Sequence, residues 1–147
     1  MQNLNKVSFW DALDYIGVNS YYPLSTSEDA SDETLKQGAK QVADRIEEVA
    51  LWYDKPVLIT EMGFKSSRGT WIKPYDYREE RVLSLDHQSR AYEAMFSALS
   101  DRPWLKGIYW WKWPTQLDRG GPKNDDFTPN GKPAEQVVAK WYMGYSH

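Results

Sequence analysis

Apolar positions along the chain change period several times. The stretch "LDYIGVNSYYP" is rich in Ile, Val and Tyr and stops at Pro23, which predicts a strand over about residues 14 to 21. A run of turn formers, "LSTSEDASDE", follows, with Asp32 placed to cap a helix. From Glu33 to Tyr53 the residues Leu35, Ala39, Val42, Ala43, Ile46, Val49 and Ala50 recur at spacings of three and four, the signature of an amphipathic helix. Lys55 and Pro56 close it. A second strand begins at once and carries Val57, Leu58 and Ile59 straight into Glu61.

A long polar and aromatic loop, "KSSRGTWIKPYDYREERVLSL", leads to a second helix that Asp86 is placed to cap and whose stripe is Tyr92, Met95, Phe96 and Leu99. After the turn "SDRPW" the segment "LKGIYWWKW" reads as a third strand. Another long loop precedes a last helix, Pro133 to Tyr142, with Ala134, Val137, Val138 and Trp141 turned inward. The sequence holds no repeat, yet strand, loop and helix alternate three times. Such alternation predicts an α/β fold with parallel strands. The loops leaving the strand ends are long and the returns from helix to strand are short, so the chemistry is expected on the carboxyl rim, where parallel α/β folds bind ligands.

Side chains alternate faces along a strand. Period two therefore groups Glu61 with Ile59 and Val57, Tyr21 with Asn19 and Gly17, and Trp111 and Trp113 with Tyr109. If these faces share one centre, a carboxylate, an amide, a phenol and two indoles meet at the rim. Trp stacks on the apolar face of a pyranose, and Asn19 offers a donor and an acceptor to its hydroxyls. A rigidly mounted glutamate can attack an anomeric carbon, and a neighbouring tyrosine hydroxyl keeps it ionised and aimed. The apolar strand is then the mount and Glu61 what it mounts.

The plainer readings are also open. Glu61 could be a strand-end acid paired with Lys65 or Arg68. Tyr21 and Tyr22 could be ordinary strand aromatics. Alternation sends Trp110 to the core, and Trp71 and Tyr75 either form an outer sugar platform or pack their loop.

Composition narrows the field. The 147 residues suffice for one domain with a real core. The 8 Trp and 10 Tyr suit surfaces that stack on flat ligands, and the net charge of -3 gives no basic footprint for nucleic acid or an anionic membrane. Cysteine is absent, which excludes disulfides and thiolate chemistry. No run approaches the roughly 18 apolar residues of a membrane span, and "MQNLNKVSFWDALDYIG" lacks the pattern of a secretion signal. The compartment stays open. His87 and His147 show no metal-ligand spacing, and "DRGGPKNDD" lacks the alternation of an EF-hand loop, so no metal or cofactor is expected.

Taken together, "DYIGVNSYYPLS", "KPVLITEMGF", "GIYWWKW" and "FTPNGKPAEQVVAKWY" resemble the C-terminal part of a clan A glycoside hydrolase, closest to family 113, whose members include β-mannanases. The resemblance covers nearly the whole chain. It implies three strand-helix units equivalent to strands six to eight of a (β/α)8 TIM barrel, and thus residues 1–147 as a single partial barrel domain. It also implies a retaining mechanism with Glu61 as nucleophile, Tyr21 as its support and Trp111 as the floor of the sugar subsite. A non-proline cis peptide at Trp111-Lys112 goes with that floor.

Two departures from the family follow. The acid/base glutamate of the clan sits at strand four after an Asn, and this sequence has no Asn-Glu pair. A retaining enzyme needs two carboxylates roughly 5 Å apart; the loop acids Asp76, Glu79, Glu80, Asp118, Asp125 and Asp126 are the remaining candidates. Three parallel strands with helices on one face also leave the other face, expected to carry Val57, Ile59 and Tyr109, without a cover. The expected partners are an oligo- or polysaccharide and either the missing N-terminal half of the barrel or a second copy of the chain. Three readings result: the nucleophile-bearing portion of a retaining hydrolase of mannan-like β-linked polysaccharide, inactive alone; a non-catalytic carbohydrate-binding or scaffold half-barrel; and an unrelated α/β domain using Glu61 as a base, whose strand rims would not converge.

Overall fold

The computed structural model describes residues 7, 9–78 and 81–144. After a short helical turn at Trp10–Ala12 the elements run β1 (Ile16–Asn19), α1 (Asp32–Tyr53), β2 (Val57–Met62), α2 (Leu85–Leu99), β3 (Leu105–Trp110) and α3 (Pro133–Gly144). The strands form one sheet in the order β1-β2-β3, and both pairs are parallel. Each strand is followed by a helix, as the alternating periods predict.

In α1 the seven predicted inward positions are all buried, and they press the helix onto the sheet beside Ile16, Val18, Val57 and Ile59. Of the inward positions predicted for α3, Ala134 and Val138 are buried, while Val137 and Trp141 are partly buried against the same core. Trp110 also turns to this side, its ring stacked 4.3 Å from that of Tyr92.

The helix starts differ from expectation by a residue or two. Ser31, not Asp32, caps α1 by accepting from the Thr34 N–H, and Ser84, not Asp86, caps α2 by accepting from the His87 N–H. A hydroxyl at the cap takes an orphan amide. The acids Asp32 and Asp86 instead sit in the first turn, where negative charge complements the helix dipole.

The largest correction concerns β2. Val18 pairs with Ile59 but Asn19 pairs with Glu61, and on the other side Ile59 pairs with Ile108 but Met62 with Trp110. One extra residue is therefore inserted in β2 between Ile59 and Met62. A bulge of this kind reverses the alternation beyond it. Val57, Ile59 and Met62 are fully buried beneath the helices, whereas Thr60 and Glu61 both escape that face. Glu61 thus does not share a face with Val57 and Ile59. The sheet face without a helix carries Gly17, Asn19, Leu58, Thr60, Gly107 and Tyr109 instead, with Tyr109 63% exposed.

An imidazole on α2 helps to hold the loop that leaves β2. His87 Nδ1 accepts the Gly69 N–H at 2.9 Å, and its ring stacks 4.5 Å from that of Trp71. Burial, and then the Arg90 charge, hold His87 below its ordinary value. A proton on Nδ1 would abolish the acceptor. Since the unfolded chain takes up that proton at the higher pH, this contact contributes fully above about pH 6.5 and is lost as pH falls through the lower folded value. Urea unfolding between pH 7 and 5 is expected to show stability falling towards acid, and His87→Asn should flatten that slope.

Candidate active site

Tyr21 lies just past the end of β1, Glu61 on the bulge of β2, and Trp111 just past β3. These three rims converge. Together with Lys65, Tyr75, Tyr77, Lys112, Asp126 and Phe127 they line one cavity of ≈ 480 Å³. The third reading, which required the rims to stay apart, fails on this geometry.

Within the cavity the Tyr21 hydroxyl donates to Glu61 Oε2 at 3.1 Å. Burial, and next the bond to Glu61, raise the Tyr21 pKa well above the ordinary phenol range, so the hydroxyl stays a donor. Arg68, one of the alternative partners for Glu61, is engaged with Glu28 at 2.8 Å. Tyr22, beside Tyr21, packs against the core, and burial raises its pKa. Removing the donor by Tyr21→Phe leaves one carboxylate oxygen without that bond. A hydrogen bond to a charged group is worth about 1.5 kcal/mol or more, so any reaction that uses the Glu61 carboxylate is expected to slow about tenfold in Tyr21→Phe, read by steady-state assay.

Trp111 is 46% exposed and offers a ring to the cavity. The Trp111-Lys112 peptide is cis, as the resemblance implied. Asn19 lies one step back on the open face, accepting from the Thr60 hydroxyl at 2.7 Å, and is not in the cavity wall. Trp113 is exposed and also outside this wall. Of the two readings for Trp71, packing is the one observed: it is fully buried, with its indole N–H on the Ser27 carbonyl at 2.8 Å. Tyr75 and its neighbour Tyr77 face the cavity instead, 59% and 64% exposed.

The acid candidates sort themselves by position. Of the four acid candidates among the described residues, Asp76, Asp118, Asp125 and Asp126, Asp126 alone lines the cavity, and its Oδ2 is 2.7 Å from Lys112 Nζ. Burial works to raise its pKa, but Lys112 and the Phe127 N–H outweigh it and hold the carboxyl below the usual range. Asp126 is therefore an ionised partner of Lys112, unsuited to deliver a proton. Glu79 and Glu80, like His147, fall outside the described residues.

Lys65, Lys112, Phe127 and Tyr77 were not singled out as site residues from the sequence. Lys112 had a signal, since it directly follows Trp111. Phe127 had none, because it reaches the cavity from the far end of the loop after β3.

Three parallel strands, each followed by a helix and with their carboxyl rims at one cavity, are α/β units that match part of a (β/α)8 barrel. A family model described as Glycoside Hydrolase Family 113 matches residues 1–132, and the chain belongs to that family. Among solved structures it is similar to the GH113 β-mannanase AaManA from Alicyclobacillus acidocaldarius in complex with ManMIm, at 34% identity and a TM-score of 0.79, covering 96% of this chain and 42% of that one. A GH113 β-1,4-mannanase is 32% identical with the same TM-score of 0.79, over 97% of this chain and 43% of its own. The chain thus spans under half the length of these relatives. A β-glucuronidase from Faecalibacterium prausnitzii, 19% identical with a TM-score of 0.57 over 97% of this chain and 24% of that one, shares the fold alone. No curated protein gives a significant match.

Proposed function

We propose that the chain is the nucleophile-bearing portion of a retaining hydrolase of β-linked, mannan-like polysaccharide. The observation that carries this reading is the Tyr21-Glu61 hydrogen bond at the strand rims of the cavity that Trp111 also lines. Glu61 attacks the anomeric carbon, the bond from that carbon to the glycosidic oxygen breaks, and a glycosyl ester forms on the carboxylate. The leaving oxygen needs a proton from a second carboxylic acid. With Asp126 committed to Lys112, that acid is proposed to come from the part of the barrel that the mannanase relatives contain and this chain does not span. The remainder of the barrel would also cover the open face around Leu58, Thr60 and Tyr109.

Trp111 is proposed as the floor of the sugar subsite, with Asn19 and Trp113 reaching substrate only in the covered barrel. Tyr75 and Tyr77, exposed at the cavity, extend the stacking surface outward. A test separates this from a purely saccharide-binding half-barrel, which the pairing of Asp126 with Lys112 also permits. Calorimetry with β-1,4-linked mannotriose is expected to show binding that weakens about tenfold in Trp111→Ala, about 1.4 kcal/mol of lost apolar contact with the indole. Hydrolysis by the complete barrel should in addition depend on Glu61. Binding without any such dependence supports the second reading.

A further inference from the structure

A buried cation stands behind one wall of the cavity. Lys132 immediately precedes α3 and is only 4% exposed. Its three ammonium protons meet three oxygens: Ser66 Oγ at 2.6 Å, Asn124 Oδ1 at 2.8 Å and the Asp126 carbonyl at 2.9 Å. All three acceptors are neutral groups. A buried charge without a directly bonded carboxylate is costly, and it persists only where its hydrogen bonds are complete.

Those bonds join two loops that come from different strands. Ser66 belongs to the loop after β2, and its backbone N–H donates to the Asp126 carbonyl at 3.3 Å. Asn124 and Asp126 belong to the loop after β3. Asn124 Oδ1, already holding Lys132, also accepts the Asp126 N–H at 3.0 Å. The Asp126 carboxylate in turn accepts the Phe127 N–H at 2.8 Å and pairs with Lys112. Gln88 on α2 closes the cluster from below, donating to the Phe64, Phe127 and Thr128 carbonyls. The three oxygens that hold Lys132 thus lie on Asp126 or on residues hydrogen-bonded to it, and Asp126 lines the cavity wall with Lys112 and Phe127.

We infer that Lys132 is a positioning residue, whose buried ammonium clamps the loop after β3 onto the loop after β2 and so sets the cavity wall formed by Lys112, Asp126 and Phe127. Lys132 touches neither Glu61 nor the cavity and acts only through that wall. Burial pushes its pKa down to about 8, against the opposing pull of Asp126 and Asp125. The ammonium form, with three donors, matches the three acceptors; a neutral amine has only two.

Lys132→Met keeps an unbranched apolar stem and deletes the clamp. Hydrogen exchange on the 147-residue chain is expected to show residues 124–130 and 63–67 exchanging at least about tenfold faster while α1 stays as in the wild type, the pattern of a local opening. Unchanged exchange at 124–130, or a uniform rise through α1 as well, would overturn the inference. If Lys132→Met does not fold, Asn124→Ala and Ser66→Ala each remove one acceptor and should loosen the same two segments by smaller factors; wild-type exchange in both would overturn it equally. A second readout rests on the hydrolase reading: mannotriose affinity should fall about tenfold in Lys132→Met at unchanged α1 protection. Loosened loops with undiminished affinity would make the clamp structural only and overturn its positioning role. A wild-type chain that binds no mannotriose counts against the functional reading, and the exchange result still decides the clamp.

Discussion

Glu61→Gln is expected to lower mannan hydrolysis by the complete barrel by about four orders of magnitude, some 5.5 kcal/mol of transition-state stabilisation. The neutral amide is close in shape to the carboxylate and can still accept from Tyr21, so the cavity around it should keep its form. What it loses is the charge and the nucleophilic oxygen pair that would bond to the anomeric carbon. Mannotriose binding, measured by calorimetry, should therefore stay within about twofold of the wild type, because Trp111, the proposed stacking surface, is untouched. Initial rates that survive the substitution would remove Glu61 from the chemistry. Loss of binding along with rate would instead mean that the amide had disturbed the site.

Gly63→Ala is the second substitution with a large expected effect, and it acts through space that only hydrogen can occupy. A Cβ at Gly63 would lie 1.9 Å from the Trp111 carbonyl oxygen and 3.0 Å from its carbon, with Phe127 Cδ1 at 3.3 Å. The near neighbour is backbone, so no side-chain rotation relieves the clash. The strands meet here because the Trp111 N–H donates to the Met62 carbonyl at 2.7 Å. Adding one methyl must push the segment carrying Trp111 away from β2, at a cost of about 3 kcal/mol by comparison with overpacked cores. Urea unfolding should register that loss, and mannotriose affinity should fall at least about tenfold because the indole leaves its place. Gly144→Ala, whose Cβ meets nothing within 4 Å, serves as the control, with an expected change inside about 0.5 kcal/mol.

The elements that bury one clean stripe were readable from the chain. Helix α1 is the clearest case, since its seven apolar positions report a single helical face and nothing else competes for them. The end of β2 was not readable by period two. Whether Glu61 shares the face of Val57 and Ile59 depends on the register that β1 and β3 impose together, and a bulge leaves no mark in the alternation of a six-residue strand. The bulge is nonetheless what turns Glu61 from the helix side towards Tyr21, so their hydrogen bond depends on the one feature that simple alternation contradicts.

Resemblance and residue types together pointed to Tyr21, Glu61 and Trp111 as members of one rim, and these three do line a common cavity. The wall opposite in sequence, Lys112 with Asp126 and Phe127, belongs to long-range pairing that no local spacing encodes. Asp126 stood among six candidate acids, and its ion pair with Lys112 is a matter of geometry alone. Trp71 illustrates the converse. An indole in a polar loop suggests a platform for sugar, but the loop is long enough to fold over its own aromatic and bury it against His87.

In the proposed mechanism Glu61 forms a covalent bond to sugar. A fluorinated β-mannosyl fluoride probes that bond in this chain, because fluoride departs without a proton and no second carboxylic acid is required. After incubation with the chain and proteolysis, mass spectrometry should find one added fluorosugar on the peptide containing Glu61, and none in Glu61→Gln. A label on Asp126 or elsewhere, or no label on a chain that still binds mannotriose, would contradict the account.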